Sequence, residues 1–430
     1  MKYINIVIGL IFAVVGLQAQ SDVLSPAPEQ DMPTVILGAT AHLGDGSVIE
    51  NAAVAFEDGK ITFVGTVDRW SGTDDHRVIN AKGKHLYPGL ISVNTTLGLT
   101  EIEQVNATRD EREIGMLNSN VRSIIAYNTD SDVIPTLRSN GVLMAQVCPR
   151  GGRLSGRSSV VQLDAWNWED AAYNMDEGQH LNWPSFYRYN WRQGTYGKNK
   201  DYVKDVESMT EFFDQAKKYC SLKDSEIEVI NLKLEAMRAC FEGNARLYVH
   251  VDKAKGIQEA VLFGEKYGIK VVIVGGRESY MVTEFLVEHN TPVILNRVTS
   301  LPGGTDVDID MPFKKAAILE EAGVLYCFSV GDFWRERNLA FQAGQSVAYG
   351  LDYEAALSSM TLRTAVILGI DDRTGSIQKG KDANMFISDG DALDYLGNQV
   401  SRIFIQGRDV TTENKHKALF KKFENKYKNQ

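Results

Sequence analysis

The sequence predicts an α/β fold in which a parallel barrel carries a smaller, all-β unit. Short apolar runs at 141–148, 247–251, 269–274, 292–295 and 324–328 recur with amphipathic, helix-like segments at 257–267, 280–289 and 313–322 between them. That alternation is expected of parallel strands joined by crossover helices. Toward both chain ends, at 34–80 and 375–410, short apolar runs alternate instead with turn signals such as Asp45-Gly46 and Asp58-Gly59, the pattern of short antiparallel strands. At 430 residues the chain is long enough for both units.

In chain order, residues 1–20 read as a secretory signal. Lys2 gives the positive start, 4–17 the apolar run, and Leu17-Gln18-Ala19 the small-residue ending. The run is too short and wrongly flanked for a membrane span, so the mature chain is not expected to be an integral membrane protein. An exported or periplasmic location follows, with an uncleaved anchor as the rival reading. The expected domains are then 21–86 and 375–412 as the two parts of the β unit, 87–374 as the barrel, and 413–430 as a basic amphipathic terminal helix. Within the barrel, 165–225 reads as an insertion, because four of the six tryptophans fall there among many tyrosines. It either roofs the barrel mouth or packs on its own aromatics.

Apolar and charged contents of 43% and 24% are those of an ordinary globular protein. A net charge of −10 without a lysine–arginine stripe argues against nucleic acid as a partner. Of the four cysteines, Cys148 and Cys327 lie in strand-like runs and read as buried thiols. Cys220 and Cys240 flank a helical segment; an oxidising compartment permits a bridge, but spacing does not establish one.

Several loops carry candidate chemistry. Cys148-Pro149-Arg150-Gly151-Gly152-Arg153 runs on to Arg157 from the C-terminal end of a strand, the active side of such a barrel. Arg150, Arg153 and Arg157 either grip the carboxylate of a small-molecule or peptide ligand or pair with neighbouring acids. Asp306, Asp308 and Asp310 lack the glycine and closing glutamate of a calcium loop and read as a solvated acidic loop. Cys148 has no supporting histidine for a nucleophilic role.

Three blocks carry a wider resemblance. The first runs from Ile36-Leu37-Gly38-Ala39 through Asp58-Gly59-Lys60-Ile61 to Val64-Gly65. The second is Pro88-Gly89-Leu90-Ile91, and the third is Gly375-Ser376-Ile377 through Lys381-Asp382-Ala383-Asn384. In this order they resemble the amidohydrolase superfamily of metal-dependent hydrolases, in the imidazolonepropionase-related branch. The resemblance implies a TIM-like (β/α)8 barrel plus a small β-sandwich made by both chain ends.

The resemblance also implies a metal site, and here the chain departs from it. The expected His-x-His pair at the end of the first barrel strand is Asn94 and Thr96, and the histidine expected one strand after His250 is Gly275. An amide and a hydroxyl do not replace imidazoles for zinc. His250 matches the fifth-strand ligand. Asp332, in Val330-Gly331-Asp332, matches the eighth-strand aspartate, which is both a metal ligand and the catalytic group that activates water. Glu101, Glu103 or His180 would have to complete the set. Two readings follow. In the first, the protein descends from a C–N hydrolase but is non-catalytic or weakly active, binds no metal, and acts as a binding subunit, in a hetero-oligomer with an intact homologue. In the second, it is an active amidohydrolase on cyclic amides or short peptides, with one divalent metal, zinc or manganese, at His250 and Asp332.

Overall fold

A computed structural model describes residues 24–428 except 73, 74, 191 and 193. The signal-like segment 1–20 lies outside the described residues. The first five strands, β1 (Thr34–His42), β2 (Val48–Glu57), β3 (Lys60–Thr66), β4 (Arg77–Asn80) and β5 (His85–Pro88), belong to a terminal sheet. The chain then passes directly, through Gly89, into β6 (Leu90–Thr95), the first barrel strand.

The barrel continues with β7 (Val142–Val147), β8 (Leu154–Gln162) and β9 (Ala172–Asn182). A two-stranded hairpin, β10 (Tyr187–Asn190) and β11 (Thr195–Lys198), projects before a long helix at Tyr202–Cys220. The barrel resumes with β12 (Arg246–Val251), β13 (Val271–Gly275), β14 (Val293–Leu295) and β15 (Tyr326–Phe328). All neighbours in this eight-stranded sheet pair in parallel except β8, which is antiparallel to both β7 and β9. Among the described residues no ladder joins β15 to β6. Instead the Ser329 hydroxyl donates to the Val93 carbonyl across that gap at 3.0 Å, so the sheet is a nearly closed, TIM-like barrel.

Side-chain parity follows the strand period of two. Tyr248, Val272, Val274, Ile294 and Cys327 share one buried cluster inside the barrel. Leu247, Val249, Ile273, Val293, Leu295 and Phe328 belong to the cluster packed under the helices. His250 has the parity of Tyr248 and therefore points inward.

The C-terminal strands β16 (Met385–Ser388), β17 (Val400–Ile405) and β18 (Arg408–Val410) return to the terminal sheet, where β16 pairs antiparallel with β5. Both chain ends thus share one structure, as expected. Its hydrogen bonding runs through one eight-stranded sheet, β18-β17-β16-β5-β1-β2-β3 with β4 beside β1, which lines its own apolar core with Ile36, Val54, Phe56, Leu86, Met385 and Phe404. The two-sheet sandwich expected from the resemblance is not seen as separate sheets. The helix at Lys415–Lys428 lies within the expected segment 413–430.

One expectation differs, and one open question is answered. The segment 165–225 is not wholly an insertion: β9 lies inside it as a barrel strand, whereas the short helix Trp168–Ala171 before it and the hairpin and long helix after it stand outside the sheet. All four cysteines are free. Cys220 Sγ turns to the Leu234 carbonyl and Cys240 Sγ to that of Arg246, so the two thiols serve as separate donors and no bridge joins them.

Candidate functional site

The mouth of the barrel is built from the C-terminal ends of the strands. At the end of β6, Asn94 adopts a left-handed φ of 55°, a conformation that asparagine tolerates better than most residues. A register irregularity between Ser92 and Thr95 accompanies it. Its backbone N–H donates to Gln146 Oε1 at 3.0 Å. The left-handed turn aims both oxygens of Asn94 at Arg150: Nη1 donates to Oδ1 at 2.7 Å and Nη2 to the carbonyl at 2.6 Å. A guanidinium therefore lies against the position where the superfamily pattern places a histidine. Thr96 stands at the start of the following turn, its carbonyl accepting from Leu99 and Thr100.

Beneath the mouth the barrel is polar. Glu177 is buried and accepts from Gln146 Nε2 at 2.7 Å, from Ser158 Oγ at 2.5 Å and from the Tyr248 hydroxyl at 2.6 Å. Burial raises the Glu177 carboxyl above its ordinary range. His180, on β9, is fully buried, and its Nδ1 lies 2.9 Å from His250 Nε2. Burial and, secondarily, the Arg150 guanidinium hold His250 down to about 3, so its imidazole is neutral. Burial and His250 lower His180 as well. His180 thus comes from a barrel strand, next to His250, and does not swing in from an insertion.

Asp332 is engaged elsewhere. Its Oδ1 accepts from the N–H groups of Trp334 and Arg335 at 3.1 and 3.4 Å, and its other oxygen lies 3.2 Å from Arg335 Nε. Glu101 and Glu103 lie in the loop after β6 and line neither mouth cavity. Among the described residues no three His, Cys, Asp or Glu side chains converge on a common point. A divalent metal, which the superfamily resemblance implies, does not fit this donor set. His250 faces another imidazole, Asp332 caps a helical turn, and a guanidinium sits on Asn94.

Gly275 reinforces the departure. Its φ is +98°, and a Cβ there would stand 2.7 Å from Asp252 Oδ1 and 3.3 Å from Asn296 Nδ2. The position has become one that only glycine occupies without strain. Gly275→Ala is expected to cost about 1–2 kcal/mol in urea unfolding; an unchanged midpoint would show the strain to be absent.

Of the three arginines in the glycine-rich loop, only Arg150 reaches the mouth. Arg153, just before β8, is engaged by Asp205 and the Asn182 carbonyl, and Arg157, on β8, by Asp176; neither lines the mouth cavity. These two correct the expected ligand grip and match its alternative, pairing with acids. Asp308 and Asp310 pair with Lys314, as a solvated acidic loop would. The mouth instead holds three cations that sequence reasoning missed. Arg277 follows β13, Arg297 follows β14, and Lys315 lies on the helix Met311–Glu321. With Arg150, Asn94, His250, Gly275 and Asn296 they line a cavity of about 370 Å³. An adjoining cavity of about 330 Å³ shares His250, Gly275 and Asn296 and is walled by Trp183, Pro184 and Phe186.

A nearly closed, mostly parallel barrel with polar residues gathered at its C-terminal mouth is a TIM-like fold, a scaffold for many chemistries. Residues 304–414 match the model of the amidohydrolase family. An amidohydrolase from Thermotoga maritima MSB8 superposes with a TM-score of 0.79 at 22% identity, covering 88% of this chain and 99% of that one. Among curated proteins, amidohydrolase tasK of Hapsidospora irregularis is 20% identical over 78% of this chain, and the match spans only 37% of tasK. An imidazolonepropionase of Bacillus cereus is 50% identical over 50 residues, 12% of either chain. The family match is thus confined to residues 304–414, while the chain as a whole shares the fold of a solved amidohydrolase. Among the described residues no helix is long and apolar enough to cross a membrane.

Proposed function

We propose that this protein is an exported, non-hydrolytic member of the superfamily that keeps the barrel mouth as a binding site for a small molecule or peptide. The observation that carries the reading is the pair of hydrogen bonds from Arg150 to Asn94. A fixed guanidinium repels a divalent ion, and its donors cannot ligate one. Catalytic zinc requires three protein ligands and an open position, and the imidazoles here number two, His250 and the facing His180. Export rests on the signal-like residues 1–20. An intact homologue is the partner proposed to supply hydrolysis in a hetero-oligomer.

Metal analysis after growth with zinc and manganese tests the reading. The expected result is a substoichiometric metal content and no turnover of cyclic amides or dipeptides, the substrate classes suggested by the imidazolonepropionase match and by the structural likeness to an Xaa-Pro dipeptidase. Stoichiometric metal that His250→Ala and Asp332→Asn both remove, together with hydrolysis, would overturn it in favour of a reduced metal site.

A further inference from the structure

The cavity at the mouth has an unusual charge balance. Arg150, Arg277, Arg297 and Lys315 line it and no carboxylate does. Lys315 is the informative member. It is 7% exposed, forms no ion pair among the described residues, and its hydrogen bond to the Gly276 carbonyl is a long 3.5 Å. An ammonium buried without a counter-charge is costly, and burial pushes Lys315 down to about 8. Arg297 likewise has no carboxylate partner among the described residues. Arg277 has only a loose one, Asp252 at 3.8 Å. Glu336, buried nearby, does not line the cavity. Clefts that gather one sign of charge between low-dielectric walls concentrate the opposite ion. The adjoining cavity, lined also by Asp252 and Lys253, adds a flat apolar wall: Phe186 stacks on Tyr202 at 4.1 Å, and the Trp183 indole N–H donates to the Tyr202 hydroxyl at 3.3 Å. That bond and the stack hold both rings in place.

We infer that the barrel mouth binds a compact organic dianion, its anionic end among Arg150, Arg277, Arg297 and Lys315 and its apolar end on Trp183 and Phe186. The inference deepens the ligand-binding reading above by naming the class of ligand, and the lining that carries it does not depend on whether hydrolysis has been lost. Charge-assisted hydrogen bonds from several cations favour two negative charges over one. Either a phosphate monoester or a dicarboxylate has this chemistry, and phenyl phosphate and phthalate represent the two.

Calorimetric titration at pH 7.5 into the full-length protein tests the proposal, with benzoate as the monoanion and inorganic phosphate as the dianion without an apolar end. Saturable binding of phenyl phosphate, phthalate or both is expected, about tenfold or more tighter than benzoate or inorganic phosphate. Which of the two binds identifies the anionic group. Lys315→Met and Arg297→Met are each expected to weaken that binding about tenfold or more, while Lys314→Ala, on the same helix but outside the lining, leaves it unchanged. Circular dichroism and melting of each variant establish that it is folded. Absence of saturable binding, benzoate as tight as both dianions, inorganic phosphate as tight as phenyl phosphate, or folded Lys315→Met and Arg297→Met variants with undiminished affinity would overturn the proposal. Metal content measured on the same preparation separates the two readings. Dianion binding with a stoichiometric metal sinks only the non-hydrolytic reading, and metal-free protein that binds neither dianion sinks only this one.

Discussion

Asp164→Ala is expected to destabilise the protein by about 3–5 kcal/mol, read as a lower urea midpoint at pH 7. Asp164 is 3% exposed and lies between two guanidiniums that are themselves buried. Arg138, from the helix Ile134–Arg138, donates to Oδ1, and Arg408, from β18, lies 3.0 Å from Oδ2. The backbone N–H of Ala27 also reaches Oδ2 at 3.0 Å. One carboxylate therefore neutralises two charges and joins the barrel to both chain ends. Deleting it leaves two buried cations facing each other, and an unpaired buried charge costs more than the missing hydrogen bonds themselves. Asp164→Asn keeps an acceptor and is expected to cost less. A loss below about 1 kcal/mol for the alanine variant would mean that the guanidiniums find water or other partners.

Glu336→Gln is expected to change how stability depends on pH. Glu336 is fully buried, accepts from the Gly331 N–H at 3.2 Å, and has a second oxygen with no partner. Burial dominates and pushes its carboxyl up to about 8; Asp332 adds to the rise, while Ser92, Gly331 and Arg150 oppose it. The sign follows from proton counts. Above the ordinary carboxyl range near 4.5, the unfolded chain has lost this proton while the native state retains it. Stability from this group is therefore complete at low pH and drains away as pH climbs from about 4.5 to about 8. The variant has no such proton. Its unfolding free energy from urea titrations should stay flatter across that window and exceed that of the parent near pH 8 by an amount on the order of 4 kcal/mol. Parallel pH profiles for the two proteins would show that Glu336 ionises normally.

Much of the barrel was legible because its strands are short apolar runs bounded by polar loops. The segments expected at 247–251, 269–274, 292–295 and 324–328 each overlap an observed strand. The strands β8 and β9 were not legible, for a reason the structure supplies. Their inward positions carry Ser158, Glu177 and His180, which line a polar interior, so neither an apolar run nor a simple alternation marks them. The departures at Asn94, Thr96 and Gly275 were visible as single residues against a known pattern. What replaced the histidines was not. Arg150 stood out as one of three equivalent loop arginines, and only the left-handed turn at Asn94 singles it out. Arg277, Arg297 and Lys315 lie on separate loops and a helix, and no local spacing announces that they share a cavity.

The pairing of β16 with β5 has a kinetic consequence. Residues 385–388 must find residues 85–88, across a span that includes the whole barrel. Long-range pairing of this kind is slow, because loop-closure entropy is given up before native contacts offset it. A ribosome delivers the chain from the N-terminus, so β5 emerges long before its neighbour exists and exposes an unpaired edge until synthesis is nearly finished. The terminal sheet is thus assembled last although it is begun first. Chains halted before residue 385 are expected to remain protease-sensitive in their first ninety residues, while completed chains become resistant there.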